Sequence, residues 1–382
     1  MHTKRDPMRF VLFTHSLVSC WNHGNAHFLR GVVRELTGRG HAVRVFEPAD
    51  GWSRSNMLAD GGSEEAFRTA FPGMESQTYD PAALDLDAAL DGADVVLVHE
   101  WTDPALVARI GRHRARGGRY RLLFHDTHHR VVSKPEEMEA LDLSAYDGVL
   151  AFGEVLRQRY LDLGWAGRAW TWHEAADTAL FHPIPDQPEE GDLVWIGNWG
   201  DDERTAELHE FLLEPVKALK LRAVVHGVRY PDAALEALKG AGIRYGGWLP
   251  NHRAPELFAR HRLTVHVPRR PYVRALPGIP TIRVFEALAC GIPLISAPWL
   301  DAEGLFRPGT DFLVARNGKA MVELIRLVLN CRDLAADLAR NGLETIRRRH
   351  TCAHRVDELL AVCEELGAAQ SVQSLSVGEG IV

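Results

Sequence analysis

Short apolar runs alternate with helical periodicities along the whole chain. Arg9–Thr14 (RFVLFT), His41–Phe46 (HAVRVF), Val95–His99 (VVLVH), Leu122–Phe124, Gly148–Phe152 (GVLAF) and Ala169–Trp172 are near-continuous in Val, Leu and Phe. Runs of this kind predict strands of a parallel sheet covered on both faces. A helix is predicted over about Ala26–Leu36, closed by Gly38 and Gly40, and another from Gly153 to about Leu163. Asp50–Asp80 has weak periodicity and reads as loop with short helical pieces. After an acidic, proline-bearing crossover near Pro183–Gly191 the pattern restarts. Strands are predicted at Leu193–Ile196 (LVWI), Arg222–His226, within Ile243–Leu249 and at Leu263–Val267 (LTVHV). Helices are predicted over Thr205–Leu219, Glu256–His261, Ala320–Leu327, Cys331–Arg349 and Val356–Leu366, with loop and strand in Asp301–Asn317. Two βα-repeat domains follow, 1–183 and 184–366, and a Gly/Ser/Gln-rich tail, 367–382, expected to be disordered.

The most informative stretch is Pro277–Pro298, PGIPTIRVFEALACGIPLISAP. Pro280 disfavours helix at Ile279, Thr281 is a good N-cap type, and Gly291 with Pro293 ends the helix before a buried strand. Ile282, Phe285, Leu288 and Ala289 make one apolar face; Arg283 and Glu286, three residues apart, share another. A cation in the first helical turn opposes the helix dipole. A pyrophosphate would compensate it, held by free N–H groups and the guanidinium. Glu286, one turn deeper, would accept the two hydroxyls of a ribose. An ordinary surface Arg–Glu pair is the plainer alternative.

Composition narrows the classes. The 382 residues, 46% apolar and 25% charged, are those of a soluble globular protein of two domains. No run of about 18 apolar residues exists, so no membrane span is expected. The basic start, MHTKRDPMRFVLF, passes straight into a strand without a small-residue cleavage site, and a cytoplasmic location is expected. Cys20, Cys290, Cys331, Cys352 and Cys363 are scattered with no CxxC spacing, which fits a reducing compartment and no structural zinc. The net charge of −7 argues against generic nucleic-acid binding. Arg109–Arg121 packs six arginines into RIGRHRARGGRYR. Such a run is a solvated helix end, or a patch for an anionic acceptor or an acidic membrane surface.

The unusual polar residues follow the strands. The loop Ser16–Asn25 brings Gly24 to the start of a helix but lacks GxGxxG, so a dinucleotide cofactor is not supported. His125, Asp126, Thr127, His128 and His129 follow a strand, where open α/β sheets bind ligands. Three histidines with one adjacent carboxylate on a strand end make a poor metal site; one histidine acting at the crevice is the better reading. In the second half Gly197, Asn198 and Gly200 form a turn, and Arg204 is another cation at a helix start.

PTIRVFEALACGIPLISAPW, the linker AADTALFHP and HGNAHFLRGVVRELTGRGHAVRVFEP together resemble a GT-B glycosyltransferase. The chain is most similar to the spore maturation protein CgeB-like group, related to the retaining family-four enzymes, over about residues 9–365. The resemblance implies an α/β fold of two Rossmann-like, doubly wound domains facing across a cleft, with C-terminal helices crossing back. It implies transfer of a sugar from a nucleoside diphosphate sugar, with UDP expected, to an acceptor hydroxyl, retaining and without metal or cofactor. The acceptor, a glycan, lipid or small molecule, enters over the N-domain; nucleic acid is not expected. By resemblance Glu286 is the ribose-binding glutamate, and Thr281 and Arg283 meet the diphosphate. Gly197 and Arg204 lie on the phosphate side, Trp248 holds the base, and Gly24 and Asn25 approach the sugar. His125 matches a histidine near the reacting centre, and Arg283 assists departure of the diphosphate. One position departs: the family's second glutamate, eight residues before Glu286, is Gly278 here, which bears on donor recognition and on the retaining outcome. A non-catalytic nucleotide-sugar-binding protein and a nucleotide-sugar epimerase are the alternatives on the same fold.

Overall fold

The computed structural model describes residues 6–378. Strands β1 (Arg9–Phe13), β2 (Ala42–Pro48), β3 (Gln77–Tyr79), β4 (Val95–His99), β5 (Arg121–Asp126), β6 (Gly148–Ala151) and β7 (Ala169–Thr171) form one sheet, ordered β3-β2-β1-β4-β5-β6-β7. Strands β8 (Gly191–Ile196), β9 (Ala223–His226), β10 (Ile243–Tyr245), β11 (His261–His266), β12 (Leu294–Ser296) and β13 (Leu313–Val314) form the second, ordered β10-β9-β8-β11-β12-β13. Every named pairing is parallel. Both sheets therefore reverse direction beside their own first strand, the place where doubly wound sheets open a crevice. All five residues of β4 are buried, as its unbroken apolar run requires.

Two local departures have physical causes. The expected loop 50–80 holds the helices Trp52–Ala59 and Glu64–Ala70 and the edge strand β3, which buries only Tyr79 and so leaves almost no apolar signal. The expected helix Thr205–Leu219 contains a wider π turn at His209–Leu213. Pro215 follows it and has no N–H for the Phe211 carbonyl, a conflict that a wider turn relieves.

The last helix, Cys352–Gly378, leaves the second lobe and packs on helix Ala26–Gly38 of the first. Trp172 donates from Nε1 to the Arg355 carbonyl at 2.8 Å, and Arg39 reaches Asp357 at 2.6 Å. The backbone is helical through Gly378, where composition suggests a disordered tail; Ala, Gln, Ser and Leu after Gly367 carry no breaker. Residues 379–382 lie outside the described residues. Gly31 marks the closest approach of the two helices: a Cβ there would stand 2.3 Å from Cys352 Sγ. Gly31→Ala should cost about 1–3 kcal/mol by overpacking and make the C-terminal helix sensitive to limited proteolysis. An unchanged melting temperature and digestion pattern would refute this packing.

No helix among the described residues is long and apolar enough to cross a membrane. Two arginines of the run bond inside their own lobe. Arg109 donates to the Pro81 and Leu84 carbonyls, and Arg114 to the Gly118 carbonyl, with Asp147 at 3.6 Å.

Candidate functional site

A cleft of about 600 Å³ lies between the carboxyl ends of the two sheets. Loops leaving β1 and β8, the strands at the two reversal points, form facing walls, with Gly24 and Asn25 on one side and Gly197 and Asn198 on the other. Asn198 donates to the Asn22 side chain across the gap. Gly24 sits against the second lobe: a Cβ there would come within 3.0 Å of Ile282 Cγ2. Gly197 is pressed on its neighbour, since a Cβ at Gly227 would lie 2.0 Å from the Gly197 carbonyl oxygen.

Arg204 lines the floor of the second lobe. Its guanidinium donates to the Val267 carbonyl at 3.1 Å and the Trp199 carbonyl at 3.3 Å, bonds the Asn198 carbonyl, and lies 5.1 Å from the centre of the Trp195 ring. Among the described residues no carboxylate lies within ion-pair distance of it. Burial, with Arg269 and Arg283 nearby, pulls its pKa down to about 9, still protonated at neutrality. Arg269, by contrast, is paired with Glu203 at 2.6 Å. Arg204 is thus a desolvated cation facing a cleft, and an anion is its natural complement.

Helix Ile282–Ala289 begins at the same wall. Thr281 has the extended backbone of an N-cap, but its hydroxyl lies 3.2 Å from His266 Nε2 and makes no cap hydrogen bond. Arg283 lines the cleft and pairs with Glu286, so the two do share a face. Glu286 itself is fully buried and does not reach the cleft. Its Oε1 accepts from His27 Nδ1 at 2.9 Å and from Asn251 Nδ2 at 2.9 Å, while Oε2 accepts from Arg283. His27 Nε2 accepts the Asp177 N–H at 2.7 Å, which places the ring proton on Nδ1 and aims it at Glu286. Burial opposes ionisation here, but Arg283 and His27 outweigh it and hold the carboxyl below its ordinary value. The resemblance gives Glu286 a ribose-binding role, but in the structure its oxygens join the two lobes through His27 of helix Ala26–Gly38.

His125 also stands away from the cleft. It is 2% exposed and does not line the cleft; it packs behind the wall against Trp172 at 4.8 Å, His99 at 5.4 Å and Phe28 at 5.9 Å. Burial pushes its pKa down to about 3. The strand-end rule located the right loop, but β5 stays buried to its end at Asp126, and the residues after it, His128 and His129, reach the cleft. Trp248 lines the cleft, and its indole N–H is buried without a hydrogen-bond partner. His23 Nε2, Asn25 Oδ1 and His128 Nδ1 share that condition on the opposite wall. A buried unpaired polar group costs about 1–3 kcal/mol, and several around one cleft mark a place built for a polar ligand.

Glu174 was missed. It lines the cleft just beyond β7, is 5% exposed, and accepts from Asn25 Nδ2 at 3.0 Å. The strand-end rule that picks out His125 applies equally to Glu174, which stands between the predicted strand Ala169–Trp172 and the linker AADTALFHP. Among the described residues no group of three or more His, Cys, Asp and Glu is placed to hold a metal ion.

Solved structures share this architecture. Sucrose-phosphate synthase from Thermosynechococcus elongatus superposes with a TM-score of 0.67 at 14% identity, covering 95% of this chain and 100% of that one. Anabaena HepE in complex with UDP and glucose gives 0.67 at 14% identity, with 94% and 100% covered. An alpha-glucosyltransferase in complex with UDP and a 13-mer DNA containing a HMU base gives 0.69 at 12% identity, with 94% and 100% covered.

The fold is GT-B.

At these identities the likeness establishes the GT-B architecture of two facing lobes. Residues 204–361 match the family model described as glycosyl transferase-like. No curated protein matches the chain. The expectation that nucleic acid is absent among the partners does not stand. An alpha-glucosyltransferase with this GT-B fold is solved with DNA in three further settings: a second HMU-containing 13-mer, a central A:G mismatch and an abasic site. A whole-chain charge of −7 describes the average surface and does not exclude such an acceptor.

Proposed function

We propose that the protein is a UDP-sugar-dependent glycosyltransferase that works with retention and without a metal ion. Arg204 carries the reading: a desolvated guanidinium without a carboxylate, at the reversal point of a GT-B second lobe, beside the start of helix Ile282–Ala289, where Thr281 makes no side-chain cap. The diphosphate lies between them, and Arg283 closes over it. Trp248 stacks on the base and offers its N–H. Gly24, Asn25 and Gly197 let the backbone of both lobes approach the sugar and phosphates. As the glycosidic bond to phosphate breaks, charge grows on the leaving diphosphate, and the preorganised donors around it lower the barrier. The acceptor hydroxyl attacks from the same face and gives its proton to the departing phosphate.

The first-lobe wall receives the acceptor. Burial holds His15 at about 4 and His23 and His128 well below the ordinary histidine value, so these rings are neutral at pH 7 and serve as hydrogen-bond partners.

A thermal-shift screen with UDP, GDP, TDP, ADP and their sugars tests the donor site: UDP ligands should raise the melting temperature by mass action. Absence of any shift would remove the reading. A transfer assay in EDTA, offering saccharide, lipid and DNA acceptors and reading the product anomer by NMR, tests the metal, acceptor and stereochemical parts. Donor binding without transfer or hydrolysis would favour the binding-protein alternative, and an isomerised donor the epimerase.

A further inference from the structure

Glu174 is a buried carboxyl inside a site read as binding a diphosphate, and like charge is the problem it poses. Its side chain lies in the cleft wall between the two lobes, held through Oε1 by Asn25. The backbone N–H of Ile282, at the start of helix Ile282–Ala289, acts on the same carboxyl. The charged and titratable groups that face it are Arg283 and Glu286 on that helix and Tyr272 beside it. Arg283 is already neutralised by Glu286. An ionised Glu174 would therefore add an uncompensated negative charge where the proposed function puts two phosphates, and would offset the charge of Arg204.

The second observation is Asn25. Its amide nitrogen is used by Glu174, while its Oδ1 is buried at the cleft with no partner. Asn25 and Glu174 thus form one unit at the helix start, with hydrogen-bonding capacity left over toward the cleft.

We propose that Glu174 binds the donor in its protonated form, its carboxylic O–H donating to a diphosphate oxygen at the start of helix Ile282–Ala289. This rests on the donor-site reading above. Donor binding then takes up one proton whenever the free protein holds Glu174 ionised. Burial, helped by Glu286 and opposed by Asn25, Arg283 and the Ile282 N–H, pushes the carboxyl up to about 7. The uptake accordingly falls at and above neutral pH. The chain supplies by protonation a hydrogen-bond donor where a fixed carboxylate would repel the ligand.

The test is isothermal titration calorimetry of the full chain with UDP-glucose and UDP-N-acetylglucosamine, whose diphosphate diesters carry no group titrating near neutrality. Titrations are run at about pH 6 and about pH 8.5, each in two buffers of different ionisation enthalpy. The wild type should take up close to one proton at the higher pH, and its affinity should fall by about tenfold per pH unit once Glu174 ionises in the free protein. Glu174→Gln, a neutral donor of the same shape, should bind equally at both pH values without proton uptake. A wild type with pH-independent affinity and no linked proton overturns the proposal while leaving the donor site standing. A folded Glu174→Gln that no longer binds also overturns it, because the anion would then be what the ligand needs. Binding of neither nucleotide sugar at either pH brings down the donor-site reading itself.

Discussion

Replacing Arg204 with methionine should lower kcat/KM for the sugar donor by about two to three orders of magnitude, the usual loss when one preorganised charge donor is removed from a transition state. The effect should fall on kcat as well as on donor affinity, because charge on the diphosphate grows as the bond breaks. Arg204→Lys keeps the charge but cannot span the Trp199, Asn198 and Val267 carbonyls, so it should recover only part of the activity. Those carbonyls also make the methionine variant less stable, and melting curves must accompany the kinetics. A folded Arg204→Met protein turning over within about threefold of wild type would show that the cation serves the loop and not the diphosphate.

Glu286→Ala should destabilise the protein by about 3–5 kcal/mol, the cost of breaking a buried charged network by removing one partner. His27, Asn251 and Arg283 would lose their common acceptor, and two lobes would lose a pin. Chemical denaturation measures this directly. A ribose-binding carboxylate would behave in the opposite way, with stability kept and nucleotide affinity lost, so the two roles separate in one variant. The pH dependence carries a sign. The folded Glu286 carboxyl lies below its unfolded value of 4.5, so its contribution is complete above that value and disappears as pH falls through the folded one. Glu286→Gln should therefore narrow the stability difference from wild type below about pH 4. A gap that widens in acid would contradict the assignment.

Much of this was legible in the sequence. Unbroken Val/Leu/Phe runs marked the buried parallel strands, and the restart after Pro183–Gly191 marked a second sheet. The cations at helix starts, Arg204 and Arg283, reach the cleft because the dipole rule they break is a local property of the chain. What sequence could not carry was the far side of each residue. Spacing put Glu286 beside Arg283 correctly but said nothing of His27, 259 positions away. His125 stands off the cleft because β5 runs on to Asp126, a strand end that periodicity does not fix to a single residue. Glu174 escaped because what brings it into the wall is Asn25, 149 positions away and beyond any local pattern.

The returning helix Cys352–Gly378 also sets an order of events during synthesis. Phe28 and Leu29 share their core cluster with Val356, Leu359 and Leu360, residues made after the entire second lobe. The lobe translated first is thus the last to be finished. Until the end of the chain leaves the ribosome, its first helix keeps an apolar flank in water, a period when chaperones have something to hold.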